Sequence, residues 1–223
     1  MTNEALALKY APVIYFDEKE TIPLVAVGYS ILRETGPSPS FSRTMPIWDA
    51  AFVIEYAYYW DYDIQHMYDL EHIWVWVGAD GRVANAQASF HGRYLNTLLK
   101  EGAVKTQVDD NRIHIYCQPG KHAFLPHGQW FELVPDYRES CMENAGGGLL
   151  LSDMFAGKYA TSPELDKQID EYIKCHLAFE PSMRFVPMAP PAAIYQPWEA
   201  LKELIPARIN AEIKRVTEAH DLA

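Results

Sequence analysis

The stretch from Ala51 to His91 holds three consecutive runs of alternating side chains, and a chain that contains them is committed to neighbouring β-strands. Side chains in a strand alternate faces with period two. Ala51–Trp60 therefore shows Phe52, Ile54, Tyr56, Tyr58 and Trp60 on one face and Val53, Glu55, Ala57 and Tyr59 on the other. Leu70–Val77 is a second, apolar and aromatic run. Gly78-Ala79-Asp80-Gly81 reads as a tight hairpin turn, and Val83–His91 returns as the antiparallel neighbour.

The junction of the first two runs, from Asp61 to Glu71, is where chemistry is expected. Within it lies His66-x-x-Asp69-x-Glu71. Alternation puts Asp69 and Glu71 on one strand face, where two carboxylates repel. A shared proton, a cationic partner or a metal ion relieves that repulsion. His66, just upstream, can fold back as a nitrogen donor, so His66, Asp69 and Glu71 are the expected metal ligands. Counting outward from the hairpin turn brings His91, on the polar face with Asn85, Gln87 and Ser89, close to the carboxylates. His122 follows the Pro119-Gly120 turn at the end of another strand. An imidazole titrates near pH 6.5 and suits proton transfer, so His91 and His122 are the expected catalytic groups, as ligands or general acid/base. Mixed oxygen and nitrogen ligation suits Mg, Mn, Ca or Zn without choosing among them. On this reading Asp69→Asn lowers metal occupancy and leaves the fold largely intact.

Three functions fit such a cluster. The first is a metal-dependent hydrolase, in which the ion polarises a carbonyl or phosphoryl oxygen or acidifies a bound water. The second is a non-catalytic, metal-assisted module that binds a sugar or lipid headgroup, helped by the chain's 14 Tyr and 6 Trp. The third is a structural protein whose His/Asp/Glu network is only buried hydrogen bonding. No Gly-x-Ser-x-Gly element is present to supply a serine nucleophile.

The rest of the chain frames this region. A short helix is expected over Ala5–Tyr10, then strands at Val13–Phe16 and Val25–Leu32 and a loop at Gly36–Ser40. Arg93–Glu101 reads as a short helix and Arg112–Gln118 as a strand. Thr161-Ser162-Pro163-Glu164 is a capping box opening a helix with Leu165, Ile169, Tyr172, Ile173 and Leu177 on its core face. A second helix spans Trp198–Leu204, and a third follows Pro206. The fold expected is mainly β with peripheral helices: an antiparallel, jelly-roll-like β-sandwich over about residues 10–135, with C-terminal helices over about 160–223 packed on it. The whole of 1–223 is read as one domain.

Charge and composition narrow the partners. A net charge of -11 speaks against nucleic acid or an anionic membrane surface, both of which need a basic face. No run approaches the roughly 20 apolar residues of a membrane-spanning helix. Cys117, Cys141 and Cys175 form no CxxC pair, and the first residues carry no secretory pattern, so a reducing, cytoplasmic setting is expected, with a small polar ligand or substrate as partner.

His66-Met67-Tyr68-Asp69-Leu70-Glu71 resembles the His-x-x-Asp-Trp-Glu core of the necrosis-inducing cytolysins of plant pathogens and of the vacuolar protein sorting-associated protein 62 family. The second group also tends to carry a Ser-x-His and a later Gly-Ser-His-Ala. Here Ser89-Phe90-His91 and Gly120-Lys121-His122-Ala123 stand in the same order. The resemblance implies a β-sandwich with a divalent cation in a surface pocket held at His66, Asp69 and Glu71. The aspartate that cytolysins carry upstream of the histidine would be Asp61 or Asp63, at shorter spacing. Leu70 stands where the family has tryptophan, and the secretory signal and disulfide expected of a cytolysin are not read in the sequence; these departures count against toxin activity.

Overall fold

The computed structural model describes residues 1–98, 108–109 and 111–221. Helix α1 (Asn3–Lys9) leads into β1 (Val13–Asp17) and β2 (Ala26–Leu32), then a short pair, β3 (Gly36–Pro37) and β4 (Thr44–Met45). The long strands β5 (Phe52–Tyr62) and β6 (Met67–Val77) follow, then β7 (Val83–Phe90), β8 (Arg93–Asn96), β9 (Val108–Asp109), β10 (Arg112–Cys117) and β11 (Phe124–Leu125). The C-terminal part holds α2 (Pro163–His176), β12 (Phe185–Met188), β13 (Tyr195–Pro197) and α3 (Trp198–Asp221).

The larger sheet has the order β13-β2-β5-β6-β7-β8 and the smaller β11-β10-β1-β12, with β9 on β10. Most neighbours are antiparallel; β1 with β10 and β2 with β13 are parallel. One apolar cluster joins Ile54, Tyr58 and Val75 of the larger sheet to Ile14, Ile115 and Phe124 of the smaller. The Tyr58 and Phe124 rings meet edge to face at 5.5 Å. The protein is thus mainly β, two sheets layered on one core with C-terminal helices against them.

The alternation read in the sequence is realised in β5 and β6, but both faces are buried. The second face carries Val53, Trp74 and Trp76, packed under Met45 of β4. Its other half lies beneath α3, where Gly28 of β2 lets the helix approach. A Cβ on Gly28 would stand 2.9 Å from Leu201 Cδ2 and 3.0 Å from the Trp198 ring.

Three expectations are corrected. The helix expected over Arg93–Glu101 is strand β8 from Arg93 to Asn96, and its residues 99–101 lie outside the described ones. The reason is the turn before it. His91 and Gly92 both take positive φ, 49° and 74°, between the paired Phe90 and Arg93. That is the two-residue hairpin turn whose twist suits flanking strands, here with histidine where asparagine or glycine is usual. The two helices expected around Pro206 are one, α3, with the proline inside it. An interior proline costs about 3 kcal/mol. Leu201, Ile205 and Ile209, four apart, and Val216 are all buried against the core, and each such side chain contributes about 1.5–3 kcal/mol, so the stripe outweighs the break. The α2 start shifts by one residue: Ser162, not Thr161, is the N-cap, accepting from Leu165 N, with Pro163 in the first turn.

Gly28→Ala should lower stability by about 1–3 kcal/mol through overpacking, while Gly36→Ala, where a Cβ meets nothing within 4 Å, serves as the near-neutral control. Urea unfolding of both variants checks this.

Candidate functional site

β6 begins three residues before the expected run, so Asp69 and Glu71 lie inside it, paired with Trp60 and Tyr58 of β5. On its other side the ladder to β7 stops at Ile73 and Ala88. Below that point β6 leaves β7: Met67 is bridged by the backbone of Gly148 and Leu150, and between them side chains satisfy the Leu70 and His72 amides. Leu70 N donates to Asp69 Oδ1 at 2.9 Å, and His72 N donates to Ser89 Oγ at 2.6 Å. A bulge at Trp76/Val77 shifts the register, so His91 falls on the hairpin turn instead of directly across from Asp69.

A pocket of about 390 Å³ opens at this edge. Asp63, His66, Asp69, Glu71, His91 and Lys121 line its polar side; Phe41, Leu150, Leu151 and Met154 give it an apolar wall. The wall is anchored by buried Glu55, which accepts from Ser40 N at 3.0 Å and from Trp74 Nε1 at 2.8 Å. Of the expected site residues, His66, Asp69, Glu71 and His91 share this pocket. Asp63 joins them. Asp61 does not: it pairs with Arg208 Nε at 2.9 Å on α3.

His122 is in the cluster but not at the surface. It is fully buried behind Asp69, its Nδ1 2.9 Å from Asp69 Oδ2, and its ring lies flat on Trp60 at 4.2 Å and 5°. It cannot touch a pocket ligand, so the expected acid/base role does not fit this position. Its Nε2 has no hydrogen-bond partner; the stacked Trp60 face offers a protonated ring cation–π contact instead. His91 sits on the rim with Nε2 2.9 Å from Gln118 Oε1, and burial lowers its pKa.

Three acids stand nearly dry here, Asp63, Asp69 and Glu71 being 2%, 7% and 6% exposed. Each is neutralised differently. Asp63 Oδ2 accepts from Lys121 Nζ at 2.7 Å and lies 3.2 Å from His66 Nε2. Its Oδ1 accepts from Gln65 N and His66 N. Burial pushes the Asp69 carboxyl up, but the bond and charge of His122 pull it down further, and the net direction is down. Burial pulls the His122 imidazole down, and its bond to Asp69 with the charges of Glu20, Asp69 and Asp63 overcomes this, for a net rise. Glu71 accepts from Ser89 Oγ. Burial, then the Asp69 charge, drives its carboxyl well above the usual range, toward the neutral form.

These bonds leave little for a metal. Both His66 nitrogens are engaged, Nδ1 at 3.0 Å from Tyr68 O and Nε2 with Asp63. Both Asp69 oxygens are engaged as well. Among the described residues no three His, Cys, Asp or Glu side chains are grouped so as to hold a metal ion. His66, Asp69 and Glu71 line one pocket without forming a three-donor set. Sequence reasoning brought Ser89 near the carboxylates through the hairpin and missed Lys121, which was visible only as the residue between Gly120 and His122.

No protein-family model matches the chain, and no curated protein matches it. Among solved structures, one described as a toxin fold that is a basis for microbial attack and plant defense aligns at 20% identity, over 54% of this chain and 65% of that one, with a TM-score of 0.35. The chain thus spans just under two thirds of that protein's length. NLPPya in complex with glucosamine aligns at 19% identity, over 78% of this chain and 89% of that one, with a TM-score of 0.37. NLPPya in complex with mannosamine gives the same identity and coverage and 0.35. These are toxin-fold cytolysins, the group that the His66–Glu71 motif resembles, at low identity and low TM-score.

Asp69→Asn should destabilise the protein by about 3–5 kcal/mol at pH 6, because it strands a buried imidazolium. This replaces the expectation that the fold would be indifferent. The His122 contribution is full below its unfolded pKa and is lost as pH rises through its raised folded value. The Asp69 contribution is present above its unfolded pKa and is lost as pH falls through its depressed folded value. The deficit of the variant, measured by denaturation against pH, should therefore be largest between those limits. Glu71→Gln should do the opposite. Wild-type stability from this acid is full below its unfolded pKa and declines as pH rises toward the raised folded value, so the variant should gain on wild type in melting temperature as pH rises above the unfolded value.

Proposed function

We propose that the pocket binds a small, neutral, hydroxyl-rich ligand of the sugar or lipid-headgroup class and does not turn it over. The observation that carries this is charge compensation. Asp63 faces Lys121 at 2.7 Å and Asp69 faces His122 at 2.9 Å, and Glu71 accepts from Ser89 in a buried setting that favours its neutral form. Such a floor offers alternating donors and acceptors with little net charge, which suits hydroxyl groups. The apolar wall of Phe41, Leu150 and Leu151 suits the C–H face of a sugar ring. Among the described hydrogen bonds no pocket Ser, Thr or Cys side chain pairs with an imidazole, so nothing supports a nucleophile activated by a base.

A cytoplasmic setting is part of this proposal and rests on the cysteine spacing in the sequence alone. No helix among the described residues is long and apolar enough to cross a membrane.

Glucosamine and mannosamine, the ligands in the two NLPPya complexes, are convenient first probes beside neutral hexoses. Calorimetric titration should give saturable binding, weakened about tenfold by His91→Ala, the loss of roughly 1.4 kcal/mol of hydrogen bonding at the rim. Turnover of phosphoester or ester substrates that a chelator abolishes would replace this reading with the metal-dependent hydrolase. No saturable binding of any sugar would leave the cluster as a structural network.

A further inference from the structure

The turn that carries Lys121 is built to aim it. Gly120 and His122 both take positive φ, 65° and 57°. Gly120 N donates to Glu20 Oε2 at 2.8 Å, and Gly120 O accepts from Ile64 N at 2.7 Å. A Cβ on Gly120 would stand 2.9 Å from Ile64 and 3.0 Å from Cys141 Sγ, so only glycine fits between them. The turn sends His122 inward beneath Asp69 and Lys121 outward into the pocket. There the ammonium is held by Asp63 Oδ2 at 2.7 Å and Gln65 Oε1 at 3.0 Å, with its side chain only 13% exposed. An ammonium has three donors, and two are used. Its charge also reaches Asp69, Glu71 and His91.

We propose that Lys121 is a built-in cation: its ammonium holds the position where a divalent ion would neutralise the acidic side of the pocket, so the pocket takes its ligand with no divalent ion present. Two observations converge on this. The oxygens that surround Nζ, a carboxylate and an amide carbonyl, are hard donors of the kind Mg or Ca takes. Of the ligands that the motif offers, His66 is instead turned to Asp63 and the Tyr68 carbonyl, Asp69 to His122 and the Leu70 amide, and Glu71 to Ser89, and among the described residues no three of them converge. A lysine in that position removes the electrostatic reason for an ion, and its third N–H is left for a ligand oxygen. The ligand half of this statement rests on the proposed binding function; the cation half does not.

The test uses the full chain as wild type, Lys121→Ala and Lys121→Gln. Each is titrated with Mg, Ca, Mn and Zn by calorimetry and by thermal melting. Wild type should show no saturable uptake and no change in melting temperature. Both variants leave the Asp63 carboxylate buried without its counter-ion. Both should melt lower than wild type and should gain saturable uptake of a divalent ion, with recovery of at least about 2–4 °C on adding it. Lys121→Gln removes the charge but keeps a polar side chain of nearly the same bulk, so it decides the matter where Lys121→Ala does not fold. Saturable uptake by wild type that the variants merely match or fall below overturns the proposal. So does a set in which neither variant responds to any ion. Sugar binding by wild type in a chelator should be undiminished, and its loss there also overturns the proposal. Absence of sugar binding with or without chelator sinks the binding function alone, and the ion titrations still decide the role of Lys121.

Discussion

Three carboxyl groups crowded into a nearly dry corner at one end of the sandwich must each be neutralised, and the local architecture follows from that requirement. Leaving one partner of a buried pair uncompensated costs about 3–5 kcal/mol, a large share of the 5–15 kcal/mol that holds a typical domain together. The turn between β10 and β11 has to dock against β6 for Lys121 and His122 to reach their acids. Glu20, from the connection after β1, fixes that turn through the Gly120 amide. Trp60 supplies the flat surface on which the imidazole rests. Remove the acids and these contacts lose their common purpose.

The strand pattern was legible because the signal in β5 and β6 is local: burial of both faces writes it as near-continuous runs of aromatic and β-branched residues between turn signals. What was not legible depended on partners distant in sequence or on unusual backbone. His91 in a left-handed conformation disguised a hairpin turn, and the residues after it then looked helical. Pro206 reads as a helix end to any local rule, and only the apolar stripe beneath α3 reverses that reading.

The site divides in the same way. His66, Asp69, Glu71 and His91 could be brought to one place by spacing and hairpin geometry, and they share a pocket. What surrounds each of them could not. Lys121 lies 58 residues from Asp63 in the chain. A lysine in a Pro/Gly turn reads as a solvated charge, and nothing short of the folded contact marks it as a counter-ion. The depth of His122 was equally hidden, since a histidine after a turn at a strand end has the look of an exposed catalytic residue.

The proline within α3 has a consequence for how this chain is assembled. A segment with an interior break and a modest apolar stripe has little tendency to coil unaided in water. Its helical shape is lent to it by the surface of β2, where Gly28 leaves the recess that Leu201 and Trp198 fill. The 24 residues of α3 thus form a dependent element: they take shape against the sheet that receives them, and a separated peptide of that sequence has nothing to copy.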